Sequence, residues 1–252
     1  MTSTATTDFS SNYTKAYDTI TDSAYAGKTL LGWKDAEDAL HSTDAALASE
    51  DIGAYTPVFL GFERIYGASV RIDTSEGGQS GLRFITGFNP DDYKALSDAR
   101  YIKTPENETG CITFGTLVAY TDSLTEGIFD SVNYATALAA TENIKVLQQP
   151  NTKGTFEYTH GGKTYTAYSV ALVGLTKFEQ SYSARGYIEV AYADGTTATI
   201  YTAFNETNNS RSIAQTAYNL KTKGAAEYDT YSDAQKAIVD GYIPDGYVPA
   251  EV

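Results

Sequence analysis

The chain has 252 residues, with 18 Lys+Arg against 32 Asp+Glu and a formal net charge of −14. A chain of that length makes one large domain or two smaller ones, and it buries enough surface to fold without disulfide or metal staples. The negative field repels nucleic acid and anionic membrane surfaces, no run of roughly 18 apolar residues is present to insert into a membrane, and the single Cys111 excludes an intrachain disulfide. Tyr occurs 21 times against one Trp, a usage that suits pleated, half-exposed surfaces and wet contacts. Met1-Thr-Ser-Thr-Ala-Thr-Thr7 does not read as a signal peptide, and a start residue joined to an excised segment reads the same.

Residues 1–24 are rich in Thr, Ser, Asp and Tyr, with a weak strand or short helix expected near Tyr13–Thr21. Leu30 and Leu31 precede Gly32-Trp33, and Asp51–Leu60 reads as a closing strand whose Tyr55 and Pro57 place it at an edge. The segment Gly61–Tyr66 reads as a boundary. Strands follow at about 67–73 and 81–88, separated by the turn Ser75-Glu-Gly-Gly-Gln-Ser80. Asn89-Pro90-Asp91-Asp92 is a helix start, with a cap, a proline at the first position and acids on the dipole. Ile112–Tyr120 is a strand, and a short helix is expected near Val132–Ala140.

Thr155–Thr159 and Lys163–Leu175 flank His160-Gly161-Gly162 and read as a hairpin. Gly186–Tyr192 and Thr196–Phe204 flank Asp194-Gly195, the strongest hairpin signal in the chain. The alternation there predicts Ile188, Val190 and Ile200 in the core and Glu189 outside. Ser212-Ile-Ala-Gln215 and Ser232-Asp-Ala-Gln235 have capping-box spacing and open two closing helices, about 212–223 and 232–241. Ile213, Ala217 and Leu220 share a face of the first; Ala234 and Ile238 share a face of the second. The pattern as a whole is α+β, mainly antiparallel β and sandwich-like, with a few short peripheral helices. It divides into a small β-rich N-terminal unit at 1–62 and a main module with C-terminal helices at 63–252.

Two sets of residues carry resemblances. Gly32-Trp33-Lys34, Leu40, Asp51-Ile52 and Val58-Phe59 are similar to the end of a Listeria–Bacteroides type repeat, the small β-grasp repeat of internalin-like surface proteins. Residues 1–25 lack the usual first half, so the resemblance implies a partial or divergent unit. Gly67–Arg71, Gly81–Phe84, Gly115–Leu117, Ala184–Tyr187 and Arg211–Ile213 together resemble an uncharacterised module, over about 65–224, of large surface and cellulosome-associated proteins of gut clostridia. The resemblance implies an extracellular or cell-surface setting in Gram-positive bacteria and supplies no chemistry.

Motifs for chemistry are absent from the sequence. His41 and His160 fall in loops without zinc spacing. Cys111 has no flanking catalytic signature and reads as a small, buried or half-buried thiol. Gly78-Gln79-Ser80-Gly81 lacks the spacing of a nucleophile elbow. No phosphate or dinucleotide loop appears, and no cofactor or metal is expected. Four of the six arginines, Arg71, Arg83, Arg185 and Arg211, stand at structured motifs. They read as structural residues that pair with carboxylates or cover sheet edges, ahead of an anion- or glycan-binding face. The expected function is a non-catalytic structural or adhesive module of a surface protein, with neighbouring modules or cell-surface glycans as partners. The alternatives are a carbohydrate-binding module using Tyr165, Tyr168, Tyr187 or Tyr201, a self-assembling virion or filament subunit, and an unrecognised hydrolase.

Overall fold

The computed structural model describes residues 27–43, 55–124, 144–148, 154–203 and 210–249. The elements expected near Tyr13–Thr21 and Val132–Ala140 lie outside these residues. Among the described residues, twelve strands form three antiparallel sheets. β1 (Thr29–Lys34), β2 (Leu40–His41) and β3 (Thr56–Leu60) make a three-stranded sheet in the order β2-β1-β3. β4 (Phe62–Arg71), β5 (Gly81–Phe88), β8 (Phe156–His160) and β9 (Lys163–Val173) make a four-stranded sheet in the order β4-β5-β9-β8. β6 (Ile112–Tyr120), β7 (Ile144–Gln148), β10 (Tyr182–Ala191) and β11 (Thr197–Tyr201) run in the order β11-β10-β6-β7, and β12 (Ser210–Arg211) also pairs with β10. The fold is α+β, mainly antiparallel β and sandwich-like, with a few short helices.

Strand alternation builds the seam between the two larger sheets. Leu82, Phe84 and Phe88 of β5 and Tyr168, Val170 and Leu172 of β9 share one hydrophobic cluster with Ile112, Phe114 and Val118 of β6 and Ala184, Ile188 and Val190 of β10. The Phe88 ring lies 4.6 Å from Phe114 and 5.6 Å from Tyr168. The Tyr168 hydroxyl donates to the Gly115 carbonyl, so the phenol is buried without a lost hydrogen bond. Ile188 pairs with Ile200 and Phe114, and Ile188 and Val190 are fully buried with Ile200 packed against them, as the Asp194-Gly195 hairpin predicts. Glu189 lies on the opposite face and is half-buried. The second expected hairpin is also present: Gly161 and Gly162 take φ of 58° and 78° between β8 and β9, the left-handed pair that a two-residue turn needs.

The three-stranded sheet closes one end of this seam. Trp33 is 1% exposed and pairs with Pro57 on β3. Leu31, Leu40 and Leu60 belong to the same cluster as Phe84 and Phe88. Hydrogen bonds reinforce the junction: Tyr192 Oη donates to Leu31 O at 2.8 Å, Ala193 N to Leu40 O at 2.9 Å, and Tyr101 Oη to Asp38 O at 2.9 Å. The division at residue 62 therefore runs through shared packing. Residues 62–66, read from sequence as a boundary, are the first half of β4. Their strand was hidden because β4 bulges after Ile65. Ile65 pairs with Ile85 and Ser69 with Arg83, so four steps on β4 oppose two on β5.

The helices have the expected starts. Asn89 Oδ1 accepts from Asp91 N and Asp92 N at the head of α1 (Pro90–Asp98). Ser212 caps α2 (Ile213–Thr222), and Ser232 with Gln235 forms a reciprocal capping box on α4 (Asp233–Gly241). A short α3 (Ala225–Asp229), unforeseen in the sequence, lies between them without a side-chain cap. The inward face of α4 also differs from expectation. Ala234 is exposed, whereas Val239 is fully buried against Val70 and Ala217, with Tyr242 and Ile243 continuing the stripe. The contact with β4 through α2 fixes that rotation; helical periodicity alone leaves it open. Among the described residues no helix is long and apolar enough to cross a membrane.

Candidate functional site

The four arginines are divided between the sheets and do not form one face. Arg71 Nη2 lies 2.9 Å from Asp73 Oδ2, and its Nη1 donates to Gln79 O at 2.6 Å. Asp73 is also held by Ser75 and is shifted below the usual carboxylate value, first by that hydroxyl's hydrogen bond. Arg83 Nε donates to Ser69 Oγ at 2.8 Å across the β4–β5 pair. Arg185 lies on the other large sheet, donates from Nε to Thr202 O at 2.8 Å and covers the Tyr201 ring at 4.9 Å. Arg211 Nη1 donates to Ser210 O at 2.6 Å, and burial pushes its guanidinium below the usual value. These contacts tie strands and loops together.

The two histidines and the cysteine also have structural surroundings. His41 Nε2 lies 2.7 Å from Asp35 Oδ2, while Asp35 Oδ1 accepts from Ala39 N and Glu37 N. Burial opposes ionisation of Asp35, but the bonds from His41 and Ala39 outweigh it and the carboxyl sits below its usual value. This clasp closes the β1–β2 turn. Burial raises the Cys111 thiol, which keeps it protonated. Among the described residues no group of three or more His, Cys, Asp and Glu is placed to hold a metal.

Of the four tyrosines considered for a sugar platform, Tyr168 and Tyr187 are each 1% exposed and belong to packed clusters. Tyr165 differs. It lies across Gly87, where an added Cβ would stand 2.7 Å from its ring, and its hydroxyl donates to Glu63 Oε1 at 2.8 Å. Lys163 Nζ reaches the same carboxylate oxygen at 3.4 Å. Burial first, then the Glu63 carboxylate, pushes the Tyr165 phenol up to about 12. The bare backbone of Gly87 thus lets an aromatic ring lie flat on the sheet, and Glu63 fixes it there.

Beside this clip runs the most exposed aromatic surface of the sheet. Phe156, Tyr158 and His160 occupy alternate positions of the edge strand β8, with Tyr158 paired to Tyr165 and His160 to Lys163. Phe156 is 39% exposed, and neighbouring ring centroids along the row are 6.2 Å apart. A groove of about 560 Å³ adjoins the Tyr165 end, between Lys163, Gly87 and Phe62 on one side and Lys28 and Asn89 on the other. Lys28 Nζ is bound to Asp92 at 2.6 Å, and Asp92 also accepts from Gly61 N, so that wall is braced. Aromatic faces, hydroxyls, one cation and one carboxylate are therefore presented together on a rigid strand pair. The Thr155–Thr159 strand was legible in sequence; its edge position and the partnership of Glu63 with Tyr165, 102 residues apart, were not.

The chain matches no protein-family model, no curated protein and no solved structure.

Proposed function

We propose that the chain is a non-catalytic structural or adhesive module of a bacterial extracellular or surface protein, and that it makes contact through the outer face of β8. The observation that carries this reading is the row Phe156–Tyr158–His160 on an exposed edge strand. Exposed aromatic rows on edges are costly to leave open, and natural sheets usually blunt such edges with charge, proline or a covering segment. β8 contains Glu157 as its one acidic residue and no proline. The resemblances at Gly32–Lys34 and at Gly67–Arg71 with Gly81–Phe84 support a surface setting. The reading accounts for the ordered arginines and the Asp35–His41 clasp as parts of a scaffold.

A carbohydrate ligand is a second reading, favoured by the clamped Tyr165 ring beside the 560 Å³ groove. Both readings are tested with the fluorescently labelled full chain on an array of glycans and extracellular matrix proteins. Saturable retention that is lost in a Phe156→Ser/Tyr158→Ser variant of unchanged Tm supports contact through β8. Retention that survives the double substitution, or no retention on any surface, sinks it. Retention on glycans alone selects the second reading.

A further inference from the structure

The opposite end of β9 carries a second groove with different chemistry. It lies where β9 gives way to Gly174 and the chain passes the ends of β6 and β10, and it encloses about 180 Å³. Tyr120, Tyr182, Lys145, Thr176 and Lys177 line it together with the backbone at Gly174. No carboxylate is among its described lining residues. Asp122 and Glu179 line the adjoining open hollow beyond Lys177, where Asp122 accepts from Gln180 at 3.4 Å.

Two lysines on one groove stand out in this chain, which has 18 Lys+Arg against 32 Asp+Glu. Five other lysines are each bridged to a carboxylate: Lys28, Lys34, Lys94, Lys163 and Lys221. No ion pair is described for Lys145 or Lys177. Tyr120 is 37% exposed, and its ring centroid lies 5.2 Å from that of Tyr182. Burial first, then the Tyr120 hydroxyl, pushes the Tyr182 phenol up to about 12, so it stays a hydroxyl at neutral pH. The groove thus combines an aromatic face, hydroxyls and two lysines around a space of about 180 Å³, of the order of one small ring.

We propose that this groove binds a carboxylated sugar residue, a uronate, with the apolar face of the pyranose on Tyr120 and the carboxylate held by Lys145 and Lys177. The carboxylate offsets two positive charges that meet no carboxylate among the groove's described lining residues, and charge-assisted bonds to ammonium groups are strong and short. The pyranose C–H face fits an exposed phenol ring, and the sugar hydroxyls meet Thr176 and the tyrosine hydroxyls. The ligand differs from a bare anion in needing the ring. Because the lysines are near solvent, binding weakens as salt rises. The proposal gives the surface-module reading a ligand class and rests on that reading for its biological setting only; the groove is separate from β8.

The test is calorimetric titration of the full chain with glucuronate, glucose and inorganic phosphate at low salt. Glucuronate is expected to bind saturably and at least about tenfold more tightly than glucose, and Lys145→Gln and Lys177→Gln to weaken it by about tenfold or more without changing Tm. Tyr120→Leu is expected to weaken glucuronate and leave phosphate unaffected. The proposal is overturned by glucose binding as well as glucuronate, by indifference to both lysine substitutions, or by no saturable binding. If phosphate matches glucuronate and Tyr120→Leu changes neither, the groove is a simple anion site and the saccharide assignment is wrong. Failure here leaves contact through β8 intact, since that is read out by Phe156→Ser/Tyr158→Ser.

Discussion

Phe88 and Phe156 flank the same strand of the same sheet and meet opposite fates. Phe88 pairs with Thr166 of β9 from one side, and Phe156 pairs with Ala167 from the other. That single step along β9 puts the two rings on opposite faces. Phe88 is fully buried in the seam between the large sheets, in contact with Phe62, Tyr93, Phe114 and Tyr168. Phe156 is 39% exposed, beside Tyr158 on the outer edge. The inner face holds the sheets together by dry aromatic packing, whereas the outer face keeps aromatic surface available for contact. Residue type does not separate core from candidate site here. Register does.

The largest effect expected from this contrast is at Ile188, which lies between Phe114 and Ile200 on the inner face. Ile188→Asp leaves a charge buried without a partner, at a cost comparable to the whole stability of a domain, about 5–15 kcal/mol. No cooperative unfolding transition should remain by circular dichroism. Thr159→Asp, on the exposed edge, should stay within about 0.5 kcal/mol of the parent. Equal tolerance at the two sites would break the inner–outer assignment.

The two phenylalanines provide a milder version. Phe88→Ala should cost about 3–5 kcal/mol in denaturant unfolding. Phe156→Ala should cost less than about 1 kcal/mol, because its ring is already part-solvated. If Phe156→Ala proves as damaging, the edge row belongs to the core. Intermediate in size is Gly115→Ala. An added Cβ there would stand 2.3 Å from the Tyr187 ring on the outer face of the five-stranded sheet. The resulting overpacking should cost about 1–3 kcal/mol. A neutral result would show that Tyr187 is free to swing away and that the outer cluster with Leu117 and Ala119 is loose.

The smallest expected effect sharpens the comparison by charge. Glu189 is on the outer face, and burial raises its carboxyl above the usual 4.5. The folded chain therefore holds this proton longer than the unfolded chain does. That advantage is complete below 4.5 and is lost as pH rises through the folded-state value. Glu189→Gln keeps the side chain neutral, so the difference in Tm between variant and parent should grow in the variant's favour from about pH 4 to about pH 7. A difference that is flat with pH would mean that Glu189 is better solvated than its position implies.

Local signals in the sequence settled a good deal. Asp194-Gly195 and Gly161-Gly162 fixed two hairpins, because left-handed turn positions admit few residues, and a fixed turn sets the register of both strands. From that register followed the inward direction of Ile188 and Val190. Asn89-Pro90, Ser212 and Ser232 fixed three helix starts, because a cap satisfies backbone donors within one turn. Burial of Trp33 followed from its place among apolar residues before a closing strand.

Other features depended on contacts between distant segments, which no local signal carries. The bulge in β4 concealed the strand that precedes Gly67, since two extra residues interrupt the pairing there and only the partner strand shows that the ladder continues beyond them. The buried face of α4 was set by Val70 on a strand far back in the chain. The placement of Arg71 and Arg83 on one large sheet and Arg185 on the other arose from strand order, and strand order is a property of pairing across loops. The same holds for both candidate sites. The clip of Tyr165 by Glu63 and the meeting of Tyr120, Tyr182, Lys145 and Lys177 each join separate strands or loops. Turns and caps act within a few residues and leave their mark in sequence, whereas sheet packing acts across the whole chain and becomes visible only once the strands have found their neighbours.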